Sequence, residues 1–281
     1  MKPFRMVWFA GILLFPLFAL AQQDSLITTE KVKPSIKVGL FGVSRLNYYG
    51  RTDSLKSSGF FPVLEVWGNN HLYVSAAPVF INNSTVSSVY GGTVIAAGYM
   101  FRNKKWVGNN YFSVPLYRPN SGLVQERLKF QATAGISRIT KIITINTSAD
   151  LKYSGEIDYS VSAGLDHLFR FQTPKGLVIA LDPSVYLNAG TQHYTRTSFK
   201  QSGFPLLPPV QQSVEEKVRR FSILSCEFSM PVVMAKGRFQ FILNPAYSIP
   251  QNIITVAGKP DLSELGQNMV YVTAGIKWKV Y

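Results

Sequence analysis

The chain has 281 residues, a formal net charge of +14, 16% charged residues and 13% aromatics. Soluble domains carry about 25% charged residues, so this composition argues against a fully solvated domain. The cations are dispersed rather than grouped with stacking aromatics, which argues against nucleic acid as a partner. The lone Cys226 excludes an intramolecular disulfide, and with no Cys/His spacing for zinc no cofactor or metal is expected.

In chain order, Lys2 and Arg5 precede an apolar run from Met6 to Leu20, and Ala19-Leu20-Ala21 fits a small-x-small cleavage pattern. A cleavable signal peptide is predicted over 1–21, followed by a short periplasmic leader over 22–33. After that, no apolar run approaches the length of a membrane-spanning helix. Any crossing must then be made by a closed sheet, because lipid satisfies no exposed backbone group.

Weak alternation of apolar and polar residues runs over 34–46, 59–68, 72–82, 87–101 and 106–117. It sharpens from Leu128 onward. Ile143, Ile145, Thr147, Ala149, Leu151 and Tyr153 oppose Thr144, Asn146, Ser148, Asp150 and Lys152. Ile157, Tyr159, Val161, Ala163 and Leu165 oppose Asp158, Ser160, Ser162, Gly164 and Asp166. In the stretch 177–192, Leu177, Ile179, Leu181, Val185 and Leu187 alternate with Asp182, Ser184, Tyr186, Asn188 and Gln192. Successive side chains of a strand point to opposite faces, and roughly 10 residues at a tilt cross a bilayer. Further strands are predicted over 221–234, 239–249 and 270–280.

The breaks between strands come in two kinds. Short turns are expected near 68–71, 102–105, 139–141, 172–176 and 235–238, and longer connections at 47–58, 83–86, 118–123, 154–156, 193–220 and 250–268. Short periplasmic turns alternating with longer external loops characterise outer-membrane barrels. The prediction is an all-β fold: a transmembrane antiparallel up-and-down β-barrel of about 12 strands (roughly 10–14), forming one domain over 34–281 in the bacterial outer membrane.

The final strand, Gly275-Ile-Lys-Trp-Lys-Val-Tyr281, resembles the C-terminal strand by which barrel-assembly machinery recognises outer-membrane proteins, although Tyr281 falls off the apolar parity. The hairpin with Asn244-Pro-Ala-Tyr-Ser-Ile-Pro250 is similar to small uncharacterised outer-membrane barrels of Bacteroidota-type bacteria. The resemblance implies outer-membrane lipid, lipopolysaccharide and that assembly machinery as partners, and no particular activity.

Alternation directs a set of charges towards the lumen: Lys37, Arg45, Arg127, Lys129, Lys152, Arg170, Lys277 and Lys279, with Glu65, Asp150, Asp158, Asp166, Asp182 and Glu227. The slight basic surplus predicts a pore for small polar solutes that favours anions, with Arg127, Lys129, Lys277 and Lys279 as its constrictions. The same residues could instead brace a closed lumen with ion pairs, and segment 193–220 could seal it. The alternative function is then a non-conducting barrel that binds a ligand, lipid or protein through its long external loops. None of the histidines has a serine two residues on, where a lipase-like barrel places its pair, so no catalytic residue is assigned and no enzymatic activity is expected.

Overall fold

A computed structural model describes residues 34–52, 56–69, 71–85, 87–118, 128–202, 210–253 and 266–280, without the side chains of 52, 192–202 and 210–219. The signal, the leader, Arg127 and Tyr281 lie outside the described residues. The protein is a closed, 12-strand antiparallel β-barrel. Its strand segments are β1 (Ser35–Val43), β2 (Asn47–Tyr48), β3 (Arg51–Thr52), β4 (Ser58–Trp67), β5 (Leu72–Asn82), β6 (Val89–Arg102), β7 (Trp106–Tyr117), β8 (Phe130–Ile139) and β9 (Thr144–Tyr153). They continue with β10 (Ile157–Asp166), β11 (Phe169–Gln172), β12 (Val178–Leu181), β13 (Ser184–Ser202), β14 (Val210–Ser229), β15 (Val232–Lys236), β16 (Phe239–Pro250) and β17 (Met269–Lys279).

The wall closes where β1 pairs with β17 on one side and β4 on the other. Three of the 12 spans are broken in the middle: β10/β11, β12/β13 and β14/β15. The breaks lie side by side. Proline has no N–H for a ladder; Pro183 and Pro231 sit at the second and third of these breaks, and Pro245 lies beside the third in the unbroken β16. The carbonyls of these three accept from His167 (3.2 Å), Asp182 (3.0 Å) and Met230 (3.0 Å) respectively.

Side-chain caps make the turns at one end tight. Asn69 accepts from the His71 and Leu72 amides, each at 2.7 Å, and Asn103 from those of Lys105 (2.9 Å) and Trp106 (2.8 Å). Thr140 and Thr173 hold the next two turns in the same way. At the hairpin between β15 and β16, Gly237 takes a φ of 59°, which only glycine adopts freely. Both termini of the barrel also lie at this turn end, and the longer connections lie at the other.

The outer surface is the apolar one. Val38, Leu64, Val74, Ile95, Phe112, Ile145, Val161, Leu187, Phe241 and Ile276 are all exposed. Aromatics gather at both rims, as at the two edges of a bilayer: Trp106, Phe169, Phe239 and Trp278 at the turn end, and Phe60, Tyr90, Tyr159 and Phe221 at the other. The stacked pair Phe239–Trp278, with centroids 6.1 Å apart, ties β16 to the last strand.

Two expectations need correction. Segment 193–220, read as a loop because it lacks an apolar stripe, is mostly strand. β13 and β14 pair continuously from Ser184↔Ser229 to Ser202↔Val210, whereas their barrel neighbours reach only Gly190 and Ser225. Beyond the rim they form a two-stranded ribbon that needs no apolar face, because the ladder satisfies the facing backbone groups and water the outer ones. Leu128, which shares the apolar parity of Phe130, Ala132 and Ala134 and so is expected on the lipid face, is buried and lines the lumen, because β8 begins only at Phe130.

Candidate functional site

The connection between β1 and β4 turns inward instead of standing outside. Its β2–β3 hairpin closes at Tyr49-Gly50, both with positive φ (52° and 77°), the mirror-image geometry favoured by two-residue hairpins. Three contacts pin it inside the barrel. Arg51, 4% exposed, donates to the carbonyls of Tyr49 (3.2 Å), Leu224 (3.0 Å) and Gln251 (3.0 Å). Tyr48 accepts from the Lys152 ammonium at 3.1 Å, and that ammonium also lies over the Tyr48 ring. Gly50 packs on Pro250, where any side chain would collide.

Lys152 sits on β9, the strand diametrically across the ring from β1, so the hairpin spans the lumen. Tyr49 at its tip is 2% exposed, and burial pushes its phenol pKa up. The sequence reading missed this element. Its signal was Asn47-Tyr-Tyr-Gly-Arg51, an aromatic pair at a turn followed by a lone arginine.

Beneath the hairpin the lumen holds a cavity of about 350 Å³. Its two sides differ in chemistry. On the external halves of β1, β4 and β5 the inward residues are apolar: Phe61, Val79 and Ile81 pack around Leu46 of the inward connection. On β8, β9, β10 and β13 they are polar and bonded to one another. Asp150 accepts from Gln131 (3.1 Å), Thr133 (2.6 Å) and Ser160 (3.0 Å). Asn188 accepts from Ser162 (2.6 Å) and donates to Ser225 (3.0 Å).

Aromatic rings lie flat on the wall wherever a glycine on the neighbouring strand leaves room. Tyr73 covers Gly98, Tyr186 covers Gly164 and Phe41 covers Gly275, and a Cβ at any of these glycines would collide with the ring.

The charges that alternation directed inward fall into several places. Asp150 and Lys152 are buried in the polar wall. Asp158 accepts from Thr191 at 2.6 Å, and Asp166 from Asn146. Asp182 lies beside Asp166, and Glu227 is hydrogen-bonded to the Tyr271 hydroxyl. Lys277 pairs with Glu65 at 2.7 Å, and Lys37 lies 4.2 Å over the Trp67 ring. Arg170 is half-buried in β11 opposite Ala180, and Lys279 is exposed at the turn end. Lys129 is exposed, with its ammonium 5.4 Å from the centroid of Tyr153, whose ring stacks on Phe130 at the rim. Of the four cations expected to form constrictions, only Lys277 therefore lines the cavity among the described residues. No group of three or more His, Cys, Asp and Glu able to hold a metal occurs among the described residues.

No known protein family and no curated protein matches the sequence. Solved structures do match by shape. An outer-membrane channel from Pseudomonas putida F1 superposes with a TM-score of 0.50 at 9% identity, over 91% of this chain and 100% of that one. The KdgM porin matches with a TM-score of 0.47 at 7% identity, over 87% and 99%. LpxR from Salmonella typhimurium matches with 0.43 at 9% identity, over 86% and 99%. At such identities the likeness is one of fold, that of outer-membrane barrels.

Proposed function

We propose that the protein is a passive channel of the outer membrane for small polar solutes, narrowed at its external mouth by the β2–β3 hairpin. The observation that carries this reading is the cavity between that hairpin and the Glu65–Lys277 pair, inside a closed barrel whose outer surface is apolar. Barrels of eight strands are filled by their own side chains, and those of 16 or more hold a wide channel. Twelve strands with one folded-in connection leave a passage of small-molecule width. In this reading the barrel stands in lipid, with lipopolysaccharide phosphates meeting its surface cations and assembly machinery engaging β17. An enzymatic role has no supporting constellation among the described residues.

The test is planar-bilayer recording of the purified chain. Discrete conductance steps are expected, and a flat baseline at high protein concentration overturns the channel. The alternative, a closed barrel that recognises a partner externally, is favoured by one observation: the β13–β14 ribbon projects beyond the rim. Reversal potential in a salt gradient separately tests selectivity: with Lys277 paired to Glu65 little anion preference is expected, and a shift towards the anion potential that Lys277→Glu together with Lys279→Glu abolishes would restore the basic constriction read from the sequence.

A further inference from the structure

We infer that the cavity under the hairpin is a binding site for a neutral, polyhydroxylated solute of monosaccharide to disaccharide size, and not for an anion. The inference deepens the channel reading and rests on it for the solute's access to the lumen. The volume, about 350 Å³, is at the small end of ligand pockets, which run from about 300 to 1,000 Å³.

The charge balance argues first. The ionisable Lys, Arg, Asp and Glu lining the cavity are Arg45, Lys277, Glu65, Asp182 and Glu227. Lys277 and Glu65 neutralise one another at 2.7 Å. Among the described lining residues that leaves Arg45 beside the carboxyl groups of Asp182 and Glu227, so the wall offers no cluster of cations to hold an anion.

The wall's geometry argues next. Tyr186 lies flat over Gly164, so it turns a ring face to the cavity instead of projecting into it, while Tyr73 lies over Gly98 and stacks on Trp67. A flat aromatic face attracts the weakly positive C–H groups of a saturated ring. Two buried acceptors, Asp182 Oδ1 and Asn244 Oδ1, have no hydrogen-bond partner among the described residues, and both residues line the cavity. A buried acceptor left unpaired is unfavourable, and a solute hydroxyl supplies the missing donor. A stacking face beside unpaired acceptors suits a ring with C–H faces and O–H edges. An anion brings acceptors where the wall already has them in excess.

Calorimetric titration of the full chain in detergent micelles with glucose, with sucrose and with glucuronate tests this without requiring conductance. Glucose or sucrose is expected to bind at least threefold more tightly than glucuronate. Asn244→Leu removes one acceptor and should weaken sugar binding about three- to tenfold, the equivalent of one hydrogen bond. Asp182→Asn keeps an acceptor oxygen and should weaken it less. Leu187→Ala, on the lipid face, serves as the folded control, with heat-modifiable gel mobility as the check on all variants. Gly164→Ala, which lifts the Tyr186 ring off the wall, is a second and independent disruption should Asn244→Leu fail to fold. Tighter binding of glucuronate, no sugar binding up to 0.1 M (roughly −1.4 kcal/mol), or sugar affinity unchanged in both Asn244→Leu and Gly164→Ala overturns the inference. Conductance without sugar binding leaves the channel standing and ends this site. Sugar binding without conductance does the reverse.

Discussion

The two sides of the lumen are built from the same kind of strand but hold together differently. On β4 and β5, Phe61, Val79 and Ile81 bury apolar surface against Leu46. On β9, β10 and β13, Asp150, Ser160, Ser162 and Asn188 are just as buried, yet they are held by hydrogen bonds between neighbouring strands. The difference follows from what each side faces. The apolar side receives the base of the inward connection and becomes a miniature core. The polar side has only the hairpin tip against it and must satisfy its own groups. An apolar contact loses its full value when a ring is deleted, whereas a network gives up one net hydrogen bond at a time.

That contrast sets the order of the expected effects. Phe61→Ala on the apolar side should cost about 3–5 kcal/mol, read as the shift in urea unfolding in micelles, and should free the hairpin enough to raise conductance. A cost below about 1 kcal/mol would mean that the cluster is not a core. Leu187→Arg on the outer surface should cost about 2–4 kcal/mol near the bilayer midplane. Leu64→Arg, on the opposite arc of the wall, should cost the same, because lipid does not distinguish the halves that the lumen does. A large asymmetry between the two would place one of these sites away from lipid.

Arg51→Ala removes the pin of the hairpin and leaves the carbonyls of Leu224 and Gln251 without their charged donor. A loss of about 1.5–3 kcal/mol is expected, with larger and noisier single-channel currents. Unchanged currents would show that the hairpin does not narrow the path. The smallest effect belongs to the polar side. Ser162→Ala deletes one hydroxyl while Asn188 keeps Ser225, and should cost about 1 kcal/mol by the same unfolding assay. A cost as large as that of Phe61→Ala would erase the contrast.

The sequence was most legible where the lumen is polar. From 143 to 166 and 177 to 192, apolar and polar residues alternate because lipid lies on one side and hydrogen-bonding partners on the other, and the strands fall there in the structure. Alternation faded over 34–46 and 59–68 for a physical reason. Phe41, Val43, Phe61 and Val63 face inward, but onto apolar partners, so both faces of β1 and β4 read as greasy. The site itself was scarcely legible. Arg51 binds backbone carbonyls 173 and 200 positions away, and carbonyls carry no residue-specific signal. The acid Asp182 could be placed on the inner face by parity, but its unpaired oxygen and the flat ring of Tyr186 depend on neighbouring strands.

The proline crease through three adjacent spans bears on how the barrel is assembled. Each strand must be laid beside its neighbour in one alignment, and a slip of one residue would turn its whole lipid face inward. A slip of two residues keeps the faces correct, so side-chain chemistry alone opposes it weakly. With Pro183, Pro231 and Pro245 abreast, however, the breaks share their hydrogen bonds, each proline carbonyl accepting from the span beside it. Sliding one strand by two residues would scatter the breaks into separate defects, each leaving a carbonyl in hydrocarbon with no donor, at a cost of several kcal/mol. The prolines thus act as a notch and key for strand alignment, a proofreading mark written into the part of the wall that runs from the two ribbon-bearing spans to the strand beside the closing edge.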